Sequence, residues 1–146
     1  NRDEITEGCT LLDQALKRAR PGLFQLQAAV SALHAQAPSH TETGWSEIVL
    51  LYEAMHRLSS NPVYLLNRAV ALSYAAGADA ALIALTELEA ELSGYQPFHA
   101  AKADFQRRLD RPEAARISYQ RAVDLSNNES EKAFLHGRMV SLGAQD

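Results

Sequence analysis

Apolar residues recur along this chain at steps of three and four, with no sustained alternation of period two. Near the N-terminus Ile5, Cys9, Leu12, Leu16 and Ala19 fall on one stripe, the pattern of an amphipathic helix that packs by one face. Prolines and glycines then punctuate the sequence at intervals of about one helix: Pro21-Gly22, Pro38 to Gly44, Asn61-Pro62, Gly77, Gly94 to Pro97, Arg111-Pro112 and Gly143. The segments between them are rich in Ala, Leu, Glu, Gln and Arg, the strong helix formers. The pattern predicts an all-α fold with eight helices, at 5–19, 23–37, 45–59, 63–76, 79–93, 97–109, 112–125 and 129–141. Asn61 ahead of Pro62 offers an N-cap with proline in the first turn, and Ser46 and Glu47 open the run "IVLLY" with capping-type residues.

The helices repeat. When "IVLLYEAM", "ALIALTEL" and "ARISYQRA" are aligned, Ile48, Ala81 and Ala115 coincide, then Tyr52, Leu85 and Tyr119, then Met55, Leu88 and Ala122, at spacings of 33 and 34 residues. The preceding helices also match: Phe24, Tyr64 and Phe98 open them, and Ala29, Ala69 and Ala103 follow five residues later, at spacings of 40 and 34. The longer first spacing comes from "PSHTETG". A small residue at a helix crossing allows close approach, and a large one a turn later fills the space beside it. Two-helix units of this length are the mark of tetratricopeptide-like stacking, in which no unit buries its apolar face alone. The expected architecture is a single domain over 1–146: hairpins at 23–59, 63–93 and 97–125, an N-terminal flanking helix within 1–20 and a capping helix at 129–142. On this alignment Tyr119 is core.

Composition narrows the chemistry. The chain has 146 residues, 47% of them hydrophobic and 22% charged, so it has the means to bury a core and disorder is not expected. A net charge of −4 gives no general attraction to phosphate backbones, and direct nucleic-acid binding is not expected. The basic cluster Lys102, Arg107, Arg108, Arg111, Arg116 and Arg121 is the local exception, diluted by Asp110 and Glu113. No apolar run reaches the roughly 20 residues that span a bilayer, and "NRDEITEG" lacks the layout of a signal peptide. With a single cysteine, the expectation is a soluble, cytoplasmic protein. The histidines His34, His40, His56, His99 and His136 form no HExxH and no i, i+4 pair, and neither a phosphate loop nor a nucleophile elbow is present. No enzyme activity, metal or cofactor is expected.

The runs "FQLQAAVSALHAQAP", "TGWSEIVLLYEAM", "NPVYLLNRAVALSYAAG" and "YQPFHAAKADFQRRLDRPEAARISYQRAVDLSNNESEKAFL" carry more than the repeat. They resemble the C-terminal tetratricopeptide-like extension of a group of bacterial extracytoplasmic-function sigma factors, over about Ile5 to Leu142. The blocks "LQAAVSALHA", "LNRAVAL" and "HAAKADFQRRL" carry the resemblance most specifically. The polymerase-binding and promoter-binding sigma domains are not found in this chain, which corresponds to the regulatory extension alone. The resemblance implies a protein-interaction domain whose partners are the sigma-factor core domains or RNA polymerase.

In stacked hairpins the first helix of each pair lines a concave face. By the repeat register that face carries Leu26, Gln27, Val30 and His34, then Leu66, Asn67, Val70 and Tyr74, then Asp104, Arg107 and Arg108. Such a face is apolar at one end and charged at the other, suited to a partner helix or extended peptide with an acidic end. The other readings of the same residues are a groove filled by the chain's own flanking helix, a free-standing peptide adaptor, and a small-molecule cavity lined by Tyr64, Tyr74 and His34. Trp45 serves as packing anchor or as partner contact. A homodimer would use Leu135, Met139 and Leu142 on the last helix.

Overall fold

A computed structural model describes residues 22–37 and 43–143. The helix expected at 5–19, with its Cys9 stripe, and His40 lie outside the described residues. All regular structure among the described residues is helical: α1 (Leu23–Gln36), α2 (Trp45–Ser59), α3 (Pro62–Ala75), α4 (Ala78–Thr86), α5 (Glu89–Leu92), α6 (Gln96–Arg108), α7 (Pro112–Leu125) and α8 (Glu129–Gly143). The chain divides into two compact units, one ending at Ala75 and the other beginning at Ala76. The hairpin expected at 63–93 thus has its first helix in one unit and its second in the other.

In the first unit, α2 packs against both α1 and α3. Leu26, Ala29, Val30 and Leu33 of α1 bury against Ile48, Val49, Leu51, Ala54 and Met55 of α2. The link from α2 to α3 is short because each end is closed locally. Ser60 takes the left-handed conformation (φ 57°) and donates its N–H to the His56 carbonyl, which ends α2. Asn61 Oδ1 then accepts the Val63 N–H at 3.0 Å and starts α3 at Pro62, as the sequence predicts. Ser46 does not cap α2: the cap position is Gly44, with no side-chain bond, and Ser46 lies inside the first turn. Arg68 and Glu53 pair at 2.8 Å across α3 and α2.

In the second unit, α6 packs on α4 and α7, and α7 packs on α8. Ala103, Ala115, Tyr119, Ala122, Val123, Leu135 and Leu142 form one core cluster of this unit, with Met139 packed against them. One buried polar tie joins α7 to α6, the Ser118 hydroxyl donating to Gln106 Oε1 at 2.6 Å. The start of α8 is closed by Asn128, whose Oδ1 accepts the Glu131 N–H at 3.0 Å, while Ser126 donates to Glu131 Oε1 at 2.6 Å.

The helix expected at 79–93 is broken. Thr86 turns its hydroxyl back onto the Leu82 carbonyl at 3.1 Å, and Leu88 takes φ −100°, ψ −1°, at the bridge edge of the α region. The Leu88 N–H bonds Leu85 O rather than the carbonyl one residue earlier. Leu85, Leu88 and Leu92 nevertheless all stay buried, so the break changes backbone pairing and leaves the apolar register intact.

The matched positions share their burial in nearly every copy. Ile48, Ala81 and Ala115 are buried, as are Ala29, Ala69 and Ala103, and Met55, Leu88 and Ala122. Phe24 departs: it is 80% exposed where Phe98, in the same register, is 0% exposed. Leu23 packs against the core of the first unit in its stead.

Candidate functional site

The residues assigned to a partner surface fall into two groups, one in each unit. In the first unit, Val30 and Leu66 are 7% and 2% exposed; they are interior residues, which corrects their assignment to a partner-facing surface. Gln27 and His34 are exposed on α1, and Asn67 and Val70 are half-buried on α3. His34 and Tyr74 meet at Trp45. The His34 ring stands edge-on to the indole at 5.2 Å (74°), and the Tyr74 ring lies on it at 4.6 Å, tilted by 33°. Trp45 is half-buried, with Tyr74 40% exposed, so the indole anchors α2 to α1 and α3 while the cluster keeps an accessible aromatic surface. Tyr64 is half-buried against the same core.

In the second unit, Asp104, Arg107 and Arg108 stand together on α6, as the sequence places them. One carboxylate holds both cations: Arg107 Nη2 donates to Asp104 Oδ1 at 2.6 Å, and Arg108 Nη1 to Oδ2 at 3.3 Å. Both arginine side chains are about a quarter exposed, at 25% and 23%. Pairs of this exposure contribute at most about 1 kcal/mol each, so their role is to position the guanidinium groups. The bond to Asp104 raises the Arg107 pKa above its ordinary value while burial works against it, and Arg107 stays charged. Arg107 Nε is buried with no hydrogen-bond partner.

Two residues of this cluster are missing from the sequence reading. Tyr119, expected as plain core, lies close enough to Arg107 for each to influence the other's protonation. Burial pushes the Tyr119 pKa up, and the charges of Arg107 and Arg138 pull it down. Arg138, on α8, thus acts on the same phenol, and its guanidinium lies 5.2 Å from the centre of the Phe134 ring. Arg138 follows Leu135, a buried residue, by three positions, and that spacing is the signal that could have found it.

Two further members of the basic cluster are laced to carboxylates, Lys102 to Glu89 at 3.7 Å and Arg116 to Glu113 at 2.6 Å. The face expected to serve a homodimer is closed. Leu135, Met139 and Leu142 pack inside the second unit, and α8 instead exposes Phe134 and Val140. Among the described residues no three His, Cys, Asp or Glu side chains are grouped to hold a metal ion, and no helix is long and apolar enough to cross a membrane.

No protein-family model matches the chain, and no solved structure matches it. The chain is similar to an uncharacterized protein of Rhizobium meliloti (strain 1021), with 41% identity over 145 residues, 99% of this chain and 34% of that protein. It therefore spans about a third of the length of the relative it matches.

Proposed function

We propose that this chain is a non-catalytic protein-interaction domain, acting as the C-terminal regulatory part of an extracytoplasmic-function sigma factor. In that role it docks on the sigma domains, or on the linker joining them, and sets whether they engage polymerase and promoter in the cytoplasm. The observation that carries the interaction reading is the His34–Trp45–Tyr74 cluster, contributed by three helices with Tyr74 40% exposed. Tryptophan and tyrosine presented in this way are the residues that dominate the affinity of protein interfaces. The sigma-factor assignment is supported by the resemblance of the blocks "LQAAVSALHA", "LNRAVAL" and "HAAKADFQRRL". Similarity to a longer protein agrees with a domain that works beside others.

The test is binding of a separately supplied pair of sigma domains to the chain, with and without Tyr74→Ala. Saturable binding that weakens about tenfold or more in the variant, at unchanged helicity, is the expected result. Absence of binding by the unaltered chain overturns the sigma-factor assignment. Binding that ignores Tyr74→Ala moves the contact away from the aromatic cluster.

A further inference from the structure

The second unit carries a feature that the interaction reading does not by itself specify. On α6 one carboxylate, Asp104, serves two guanidinium groups. Tyr119 packs in one cluster with Ala103 of α6 and Leu135 of α8, and Arg107 and Arg138, about one turn beyond those two residues, both exert their charge on its phenol. This concentration of positive charge stands out in a chain whose net charge is −4. Arg107 is also incompletely used: Nη2 is committed to Asp104, but Nε is buried without an acceptor. An N–H donor left so is unfavourable, and the molecule gains if a carboxylate supplies the acceptor.

We propose that Arg107 and Arg138, with Tyr119 between them, receive carboxylate side chains from an acidic segment of a protein partner. The guanidinium end of Arg107 is at the surface, with Nε behind it. Rotation about its terminal side-chain torsions turns the Nε–Nη edge outward, where a carboxylate is held by two parallel hydrogen bonds. Asp104 already occupies part of that fork and acts as an internal competitor for the incoming group. Exposed Phe134, under the Arg138 guanidinium, offers an apolar floor beside the charges. Carboxylates fit better than a nucleic-acid backbone: a long polyanion would meet the negative charge of the rest of the chain, whereas a short acidic segment meets only this corner.

This inference deepens the protein-interaction reading by naming the chemistry of the partner, and its test needs no sigma domain. Fluorescein-labelled hexaglutamate is titrated into the chain at low salt and followed by anisotropy, with hexaglutamine as control and with inorganic phosphate and oligothymidylate as competitors. Saturable binding of hexaglutamate alone is expected, weakened about fivefold by Arg107→Gln and by Arg138→Gln. Arg121→Gln, which removes the same charge from an exposed position on α7, is expected to leave it unchanged. Asp104→Asn is expected to tighten binding by releasing both arginines, a gain that a damaged fold does not produce. Thermal melts of each variant establish that the fold persists. Equal binding of hexaglutamine, equal loss in Arg121→Gln, or no gain in Asp104→Asn overturns the proposal, and so does stronger competition by phosphate or oligothymidylate than by unlabelled hexaglutamate. If sigma domains fail to bind while hexaglutamate binds as described, the sigma-factor assignment falls and this site stands.

Discussion

Phe24 and Phe98 open matched helices in the same register, yet one is 80% exposed and the other 0% exposed. Truncating each to alanine therefore separates what the repeat pattern predicts from what burial predicts. Phe98→Ala removes a fully enclosed ring. Lost transfer free energy together with the cavity left behind places the destabilisation at about 3–5 kcal/mol. At Phe24 only about a fifth of that burial exists, worth roughly 0.5 kcal/mol, and the higher helix propensity of alanine returns a few tenths of it. Each kcal/mol corresponds to about 3 °C in a chain of this size, so Phe98→Ala is expected to lower Tm by roughly 10 °C or more and Phe24→Ala by about 1 °C. Circular dichroism melts of the two variants beside the parent chain measure the difference. Because the sole tryptophan, Trp45, is in the first unit, its fluorescence during the same melt reports that unit separately. Comparable losses at the two positions would refute the reasoning, since they would mean that Phe24 is as well enclosed as Phe98.

Other consequences can be tested in the same way. Burial holds the Tyr119 and Tyr52 phenols above the ordinary value of 10.0; their folded pKa exceeds the unfolded one, so their contribution is fully present below pH 10 and lost as pH rises through the folded value. Urea titrations between roughly pH 9 and pH 11.5 should show falling stability, with a shallower slope in Tyr119→Phe. Ser60→Gly, at φ 57°, should stabilise the chain by about 0.5–1 kcal/mol, read as a higher urea midpoint, because glycine adopts the left-handed conformation without strain. Ser118→Ala leaves the buried Gln106 carbonyl oxygen without its 2.6 Å donor and should cost about 1–2 kcal/mol in the same measurement. Asn128→Ala, which removes the cap of α8, should cost about 1 kcal/mol.

Helix boundaries were legible wherever proline or asparagine fixed the backbone locally. The start of α7 at Pro112 and of α3 at Pro62, behind Asn61, follow from restrictions that these residues carry with them. The break between α4 and α5 was not legible, because Leu85, Leu88 and Leu92 keep helical spacing through it, and only the Thr86 hydroxyl and the Leu88 dihedrals give it away. The Asp104, Arg107 and Arg108 group was readable as a single-helix pattern at steps of three and four. Tyr119 and Arg138 join it from α7 and α8; the spacing of Arg138 from Leu135 marks the helix face it shares, but only the packing of the helices brings that face to Tyr119. Val30 and Leu66 were misassigned for a related reason: a repeat alignment identifies equivalent positions but not which of them another helix covers.

Gly77 stands immediately inside the second unit, at φ 114° and ψ 156°, and a Cβ there would lie 2.7 Å from the Asp79 carboxylate. That conformation is closed to side-chain-bearing residues. Most positions in this sequence can drift under mutation if a neighbour adjusts, but no neighbouring change can make room in the backbone torsions of residue 77. Any side chain at position 77 therefore carries a penalty set by backbone conformation alone.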